Sequence, residues 1–113
     1  MSRKNTHAYT VFNTVSATAT QTSVSTSVQG IDKLSYHCKF STNNTGTFTV
    51  EAQNSDSDTW VSVPFNVAMT ITADNEALIV MNEVPFKNLR LVWTPSAGAG
   101  TLTTILNMKS VGA

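Results

Sequence analysis

The sequence predicts an all-β protein, an antiparallel β-sandwich of the jelly-roll or immunoglobulin-like kind with eight or nine short strands. Apolar and polar residues alternate at every second position in several segments, as strands with one buried face require, and no useful length has helical periodicity. Polar or small-residue stretches separate these segments at intervals of roughly 8–12 residues, which is typical of sandwiches. Threonine, which is β-branched and still tolerates water, is the commonest residue.

The clearest alternation occurs in residues 34–40 and 47–53. In both segments the even-numbered positions are apolar and the odd-numbered ones are mostly polar. The residues between them, Ser41 to Gly46, have the composition of a turn, so the two segments are predicted to form a hairpin.

The other strands are predicted on the same grounds at residues 9–15, 24–28, 60–63, 67–71, 77–81, 89–93 and 101–108. Pro64 ends one of them, because proline is tolerated only at strand edges and bends. Residues 77–81 are apolar at every position, which favours a central strand that is covered on both faces. Turns are predicted at residues 54–58, 73–76 and 95–100.

The predicted core consists of the residues that lie in phase with the apolar face of their strand. They are Leu34, Tyr36, Cys38, Phe40, Phe48, Val50, Leu89, Leu91 and Trp93. His37 and Lys39 are expected on the outward face.

Composition excludes several classes of function. Charged residues make up 12% of the chain, and seven basic residues cancel seven acidic ones, so no field attracts nucleic acid or an anionic membrane. No apolar run has the length of a membrane helix or of a secretory signal, so we expect synthesis in the cytoplasm and no membrane insertion. A surface poor in Lys and Glu is typical of surfaces that are buried against partners.

Candidate catalytic and metal-binding groups are sparse. His37 and Cys38 are neighbours in the sequence but point to opposite faces of a strand, so they cannot form a nucleophile–base pair. Asp56 and Asp58 resemble half of a calcium loop, but neither the glycine nor the terminal glutamate of such a loop follows them. We therefore expect no enzyme activity, no catalytic residue, no bound metal and no cofactor.

The two tryptophans are candidates for carbohydrate stacking. Trp93 is in phase with Leu89 and Leu91, which favours a core position. Trp60 is out of phase with Val61 and Val63, so it either faces solvent or closes one end of the core.

Three segments carry a family resemblance: residues 46–60 (Gly-Thr-Phe-Thr-Val through the polar turn to Trp), residues 85–94 (Pro-Phe-Lys-Asn-Leu-Arg-Leu-Val-Trp-Thr) and residues 98–102 (Gly-Ala-Gly-Thr-Leu). Together they resemble small β-sandwich virion proteins of tailed bacteriophages and prophages. The chain has Ser57 where that pattern often has glycine. The resemblance implies a structural component of the virion and no catalytic residues.

Residues 1–8 are interpreted as an N-terminal arm that precedes a single sandwich domain of residues 9–113. The arm has too few apolar residues to order by itself, so we expect it to lie along a neighbouring subunit. The candidate interaction residues are Arg3, Lys4, His7, Tyr9 and Trp60.

The leading hypothesis is a capsid-associated decoration or cement protein, located in the virion and made in the host cytoplasm. Its expected partners are other virion proteins and copies of itself, joined by many weak contacts. The alternative is a receptor- or carbohydrate-binding module of a phage tail or fibre, which would use Trp60 and the polar loops. A binding domain of a secreted or cell-surface protein is a third interpretation.

Overall fold

The computed structural model describes residues 3–63 and 68–112, and every regular element in these ranges is a β-strand. All strand pairs are antiparallel, which confirms the predicted fold class. None of the described residues form a helix that is long and apolar enough to cross a membrane. The strands are β1 (Arg3–Ser16), β2 (Gln21–Thr22), β3 (Thr26–Ser27), β4 (Lys33–Gln53), β5 (Val61–Ser62), β6 (Ala68–Met81), β7 (Asn88–Gly98) and β8 (Thr101–Gly112).

The eight strands form one hydrogen-bonded network, and the long strand β4 runs through both halves of it. We call these halves the first and the second sheet. On one edge, residues 33–40 pair with β8, and residues 44–53 pair with β7. On the other edge, β6 pairs with both halves of β4. The first sheet therefore has the order β1-β8-β4-β6, and the second contains β2 and β3 beside β7, then β4, then β6 and β5.

The predicted hairpin between residues 34–40 and 47–53 is wrong, because residues 41–46 continue β4 as it passes from one sheet to the other. Their polar side chains serve the turn that joins β7 to β8. Ser41 Oγ accepts a hydrogen bond from the Thr101 N–H at 2.9 Å. Thr42 Oγ1 and Asn44 Nδ2 both donate to the Ala99 carbonyl oxygen, at 2.8 and 3.0 Å. The polar residues that suggested a turn at positions 41–46 therefore stabilise a different turn, the one between β7 and β8.

The two sheets enclose one hydrophobic core, and the prediction for its members is confirmed. All nine predicted core residues are buried, whereas His37 and Lys39 are exposed. Phe40 from the first sheet meets Phe48 and Trp93 from the second, with ring centroids 5.9 and 4.9 Å apart. These contacts fix how the sheets pack, and the residues that the alternation did not identify, such as Phe12 and Met81, complete the core.

Strand β6 differs from the prediction in two ways. Residues 73–76 form no turn but lie within the strand, where Ala73 has a φ of +52° and the pairing with β4 is irregular. The second difference is that residues 77–81 are not covered on both faces, since Leu78 and Val80 are 53% and 47% exposed. In the described part of the chain β6 pairs only with β4, so it is an edge strand. Pro64 and Val67 lie outside the described residues.

Residues 3–8, assigned to the N-terminal arm, form the first half of β1. Their backbone pairs with residues 107–112 of β8 in the same chain. Within one chain this segment therefore extends the first sheet instead of standing apart from it. Thr14, with a φ of 54°, lies where the β1–β8 pairing shifts. The strand predicted at residues 24–28 is shorter in the structure, where it corresponds to β3 (Thr26–Ser27), with Val28 buried and Val24 exposed.

Candidate interaction surfaces

Two of the predicted interaction residues lie together on the edge strand β1. The rings of His7 and Tyr9 are stacked with centroids 6.5 Å apart, and half of the Tyr9 surface is exposed. Their register partners, Met108 and Leu106, are buried, so the two rings extend the inner side of the sheet beyond the core. Arg3 and Lys4 belong to the same strand, and their side chains lie outside the described part of the structure.

Trp60 is separate from this pair and lies over the outer face of the second sheet. The guanidinium of Arg90 sits 4.5 Å from the Trp60 ring centroid, and Arg90 Nε donates a 2.7 Å hydrogen bond to Glu51 Oε1. Glu51 and Arg90 are register partners on β4 and β7. Trp60 therefore neither closes the core nor stands free, because Arg90 occupies one face of its ring.

The outer face of the first sheet carries exposed apolar residues that the sequence analysis did not identify. Leu78, His37 and Ile105 form one row across β6, β4 and β8, and Ile105 is 46% exposed. Val80 lies one row further along β6. Alternation along β6 and β8 places these residues on one face of the sheet. It does not show whether that face is buried or exposed.

An ionic cluster borders this apolar row. Glu76 Oε1 lies 3.6 Å from His37 Nε2 and 4.0 Å from Lys39 Nζ. All three side chains are about half exposed or more, so the cluster contributes little to stability. Its place beside Leu78 gives the face a mixed polar and apolar character, as partner-binding surfaces have.

The turn at residues 54–58 is attached to the start of β7 by side-chain contacts. Asn88 Nδ2 donates to Gln53 Oε1 at 2.8 Å and to Asp56 Oδ1 at 2.9 Å, and Lys87 Nζ lies 3.1 Å from Asp56 Oδ2. These hydrogen bonds, from Asn88 first and then Lys87, lower the pKa of Asp56. A cleft of about 360 Å³ opens beside this turn, with Phe86, Val61, Asn54 and Asp58 among its walls.

Cys38 does not have the environment of a nucleophile. Burial raises the pKa of its thiol to about 12. His37, the nearest histidine in sequence, points to the opposite face of β4 and contacts Glu76. Within residues 3–63 and 68–112, no three His, Cys, Asp or Glu side chains are grouped closely enough to hold a metal ion.

No protein-family model and no curated protein sequence matches this chain. Solved structures with the same fold include the SPBc2 prophage-derived protein YomS, with a TM-score of 0.73, 11% identity and 96% of each chain covered. The PBSX exported protein XepA has a TM-score of 0.67 and 12% identity over 95% of this chain and 38% of its own. A protein of the Bacillus endospore appendages, described as disulfide-linked pili, has a TM-score of 0.59 and 11% identity over 100% of this chain and 92% of its own. The chain thus shares its fold with a prophage-derived protein, with an exported protein and with a pilus-forming protein.

Proposed function

We propose that this protein is a structural component of a bacteriophage virion, a decoration or cement protein that attaches to the capsid by protein–protein contacts and catalyses no reaction. Its fold is that of a prophage-derived protein, and the match covers 96% of each chain. The observation that carries the proposal is the outer face of the first sheet, where Leu78, Val80 and Ile105 are exposed together. Grouped apolar residues on a sheet face are typical of a surface that a partner covers.

The low charge of the chain supports the same conclusion. A docking surface with few Lys and Glu side chains loses little hydration when it is buried. Many copies on a symmetric particle would add weak contacts into stable attachment. Synthesis in the host cytoplasm and location in the virion are part of the proposal.

Purified particles provide the test. Mass spectrometry and electron microscopy should find the chain in the particle at a copy number that fits the particle's symmetry. A variant with Leu78→Asn and Val80→Asn should fold but be depleted from particles. Val24→Asn is the matched control, because Val24 is 73% exposed but lies near β2 and β3. Particles that lack the wild-type chain, or that take up both variants equally, would contradict the proposal.

The cleft beside residues 54–58 favours a second candidate, a carbohydrate-binding module. Phe86 offers an aromatic wall, and Asn54 and Asp58 offer polar groups that could bind hydroxyls. Trp60 does not line this cleft. Glycan-array binding that is lost in a Phe86→Ser variant and kept in Trp60→Ser would establish this function. The absence of any glycan signal would reject it.

A further inference from the structure

We propose that copies of this chain associate head to tail, with strand β1 of one copy adding to the free edge of β6 in the next, so that the first sheet continues from subunit to subunit. This inference rests on the proposed assembly function and deepens it by naming the partner as a second copy. Four observations carry it: two open edges, the strand directions, the faces that would meet, and the charges at the two edges.

Both outer strands of the first sheet are open in the described part of the chain. β1 pairs there only with β8, and β6 only with β4. The pairing of β1 is uninterrupted from Arg3 to Thr10, and that of β6 is uninterrupted from Glu76 to Met81. Along these stretches the backbone N–H and C=O groups that point away from the sheet are available to another strand. The two edges are also similar in length.

Strand direction favours pairing between the two different edges. Neighbouring strands in the order β1-β8-β4-β6 alternate in direction, because each pair is antiparallel. With four strands in the sheet, β1 runs opposite to β6. A second copy in the same orientation therefore places its β1 antiparallel to β6 of the first, and the continued sheet stays antiparallel throughout. Antiparallel pairs are the more stable kind per residue.

On the outer face of the first sheet, the residues that β1 and β6 would bring together are also compatible. Ala8 lies in the same cross-strand row as Asn107, Ser35 and Val80, so it is on the outer face of the sheet with Leu78. Addition of β1 from a neighbour brings Ala8 and Thr10 beside the exposed Leu78 and Val80. It would shield apolar surface that a single chain leaves in water.

On the inner side, the same addition sets His7 and Tyr9 of the neighbour beside Ile79 and Met81. Tyr9 is half exposed in the single chain, although it occupies an inward register position opposite Leu106. The head-to-tail contact therefore explains an aromatic pair that projects from the core side of an edge strand without being covered.

Charge distinguishes this arrangement from pairing of like edges. No Asp or Glu occurs in residues 1–31, whereas Arg3 and Lys4 begin β1. In antiparallel pairing, the start of β1 lies beside the end of β6, where Glu83 follows and is exposed. Contacts between two β1 edges bring only basic side chains together, and contacts between two β6 edges bring only acidic ones. Opposite charges across the contact select the mixed pairing.

A contact between two different surfaces of the same chain is heterologous, so it repeats until it closes into a ring or continues as a filament. A ring fits a protein that decorates a symmetric shell. The expected solution state is therefore a concentration-dependent oligomer that weakens in high salt.

Analytical ultracentrifugation of the full chain tests the inference with three charge-reversed proteins. The Arg3→Glu, Lys4→Glu double variant and the Glu83→Lys variant should each shift the wild-type oligomer several-fold toward monomer. The chain that combines all three substitutions should regain association, because its edges again carry opposite charges. Asp58→Lys, which makes the same charge change in a distant loop, should associate like wild type.

Other outcomes overturn the inference. A wild-type chain that stays monomeric at every concentration excludes the contact. An oligomer that is insensitive to Glu83→Lys, or that the triple variant fails to restore, indicates pairing of like edges or another interface. If circular dichroism shows that the Arg3→Glu, Lys4→Glu variant does not fold, the test rests on the comparison of Glu83→Lys with its control Asp58→Lys. Neither of these two positions lies in a strand, so both variants should fold. A monomeric chain that is still present in purified particles rejects this contact and leaves the virion proposal standing.

Discussion

Gly46 lies against the indole of Trp93 so closely that a Cβ on Gly46 would stand 2.5 Å from Cη2 of the ring and 2.5 Å from the Thr94 carbonyl oxygen. This contact occurs just after β4 passes from the first sheet to the second. The indole cannot move away easily, because its Nε1 donates a 3.0 Å hydrogen bond to the Ala17 carbonyl oxygen and its face packs on Phe48. Glycine at position 46 is therefore required by close approach of the backbone to the core.

Gly46→Ala should lower the free energy of unfolding by about 2–3 kcal/mol, because the new methyl group overpacks a fully buried site. Urea denaturation measures the change. Gly30→Ala is the control, since a Cβ there meets nothing within 4 Å and the positive φ alone should cost about 1 kcal/mol. Adding Trp93→Phe to Gly46→Ala should be less costly than the sum of the two single changes. Equal effects of the two alanines would contradict the packing argument.

The buried Tyr36 and Cys38 predict a loss of stability at alkaline pH. Burial, and then the nearby Cys38, raises the pKa of the Tyr36 phenol, and burial raises that of Cys38 from 9.0 to about 12. Both groups hold their protons more tightly in the folded protein than in the unfolded chain. Their contribution to the stability of the fold is therefore complete at pH values below the pKa values of the unfolded chain, and it is lost as the pH rises above those values. As pH rises toward 12, the free energy of unfolding should fall by up to about 1.4 kcal/mol per pH unit and per group, beginning near pH 9 for Cys38 and near pH 10 for Tyr36.

Urea denaturation across this pH range measures the slope, and Cys38→Ala should flatten it. The same burial predicts that a thiol reagent does not modify Cys38 in the native protein and does so once urea unfolds it. Rapid modification of the native thiol would show that the site opens to solvent.

Alternation along single strands is enough to identify nine of the core residues. Phe48 and Val50 are buried because the side-chain period of a strand forces every second residue to one face, and no knowledge of the partner strand is needed. The polar segment 41–46 was misassigned for the opposite reason. Asn44 is buried and bonds to Ala99, which lies far away in sequence, and composition alone cannot distinguish such a contact from a local turn.

The interaction surface was only partly predictable. His7 and Tyr9 are among the predicted interaction residues, but the pairing of their strand with β8 is a long-range feature. Leu78 and Val80 were expected to be covered, because a run of apolar residues is typical of a central strand. Whether a strand lies at the centre or the edge of a sheet depends on topology, which alternation within that strand does not encode.

Asn88 stabilises the turn at residues 54–58 by bonding to Gln53 and Asp56. Asn88→Ala should lower the free energy of unfolding by about 1–3 kcal/mol, because it leaves the buried Gln53 Oε1 without a donor. Asp56→Ala is the matched control, because it removes the other acceptor of the Asn88 amide. Asp56 is exposed, so we expect a smaller loss of free energy of unfolding. Thermal unfolding of the two variants measures the difference. A larger effect of Asp56→Ala would mean that the exposed contact, and not the buried one, holds the turn.

Calcium should not stabilise this protein, although Asp56 and Asp58 resemble part of a calcium loop. Both oxygens of the Asp56 carboxylate already have partners, Asn88 at 2.9 Å and Lys87 at 3.1 Å, and the Lys87 ammonium repels a cation at the same place. A calcium ion requires six to eight oxygen ligands, and within residues 3–63 and 68–112 no group of three acidic or other metal-binding side chains supplies them. The melting temperature should therefore be the same with millimolar calcium, with magnesium and with a chelator. A rise of several degrees in calcium alone, abolished by Asp56→Ala, would show that the ion displaces Lys87 and binds the folded state.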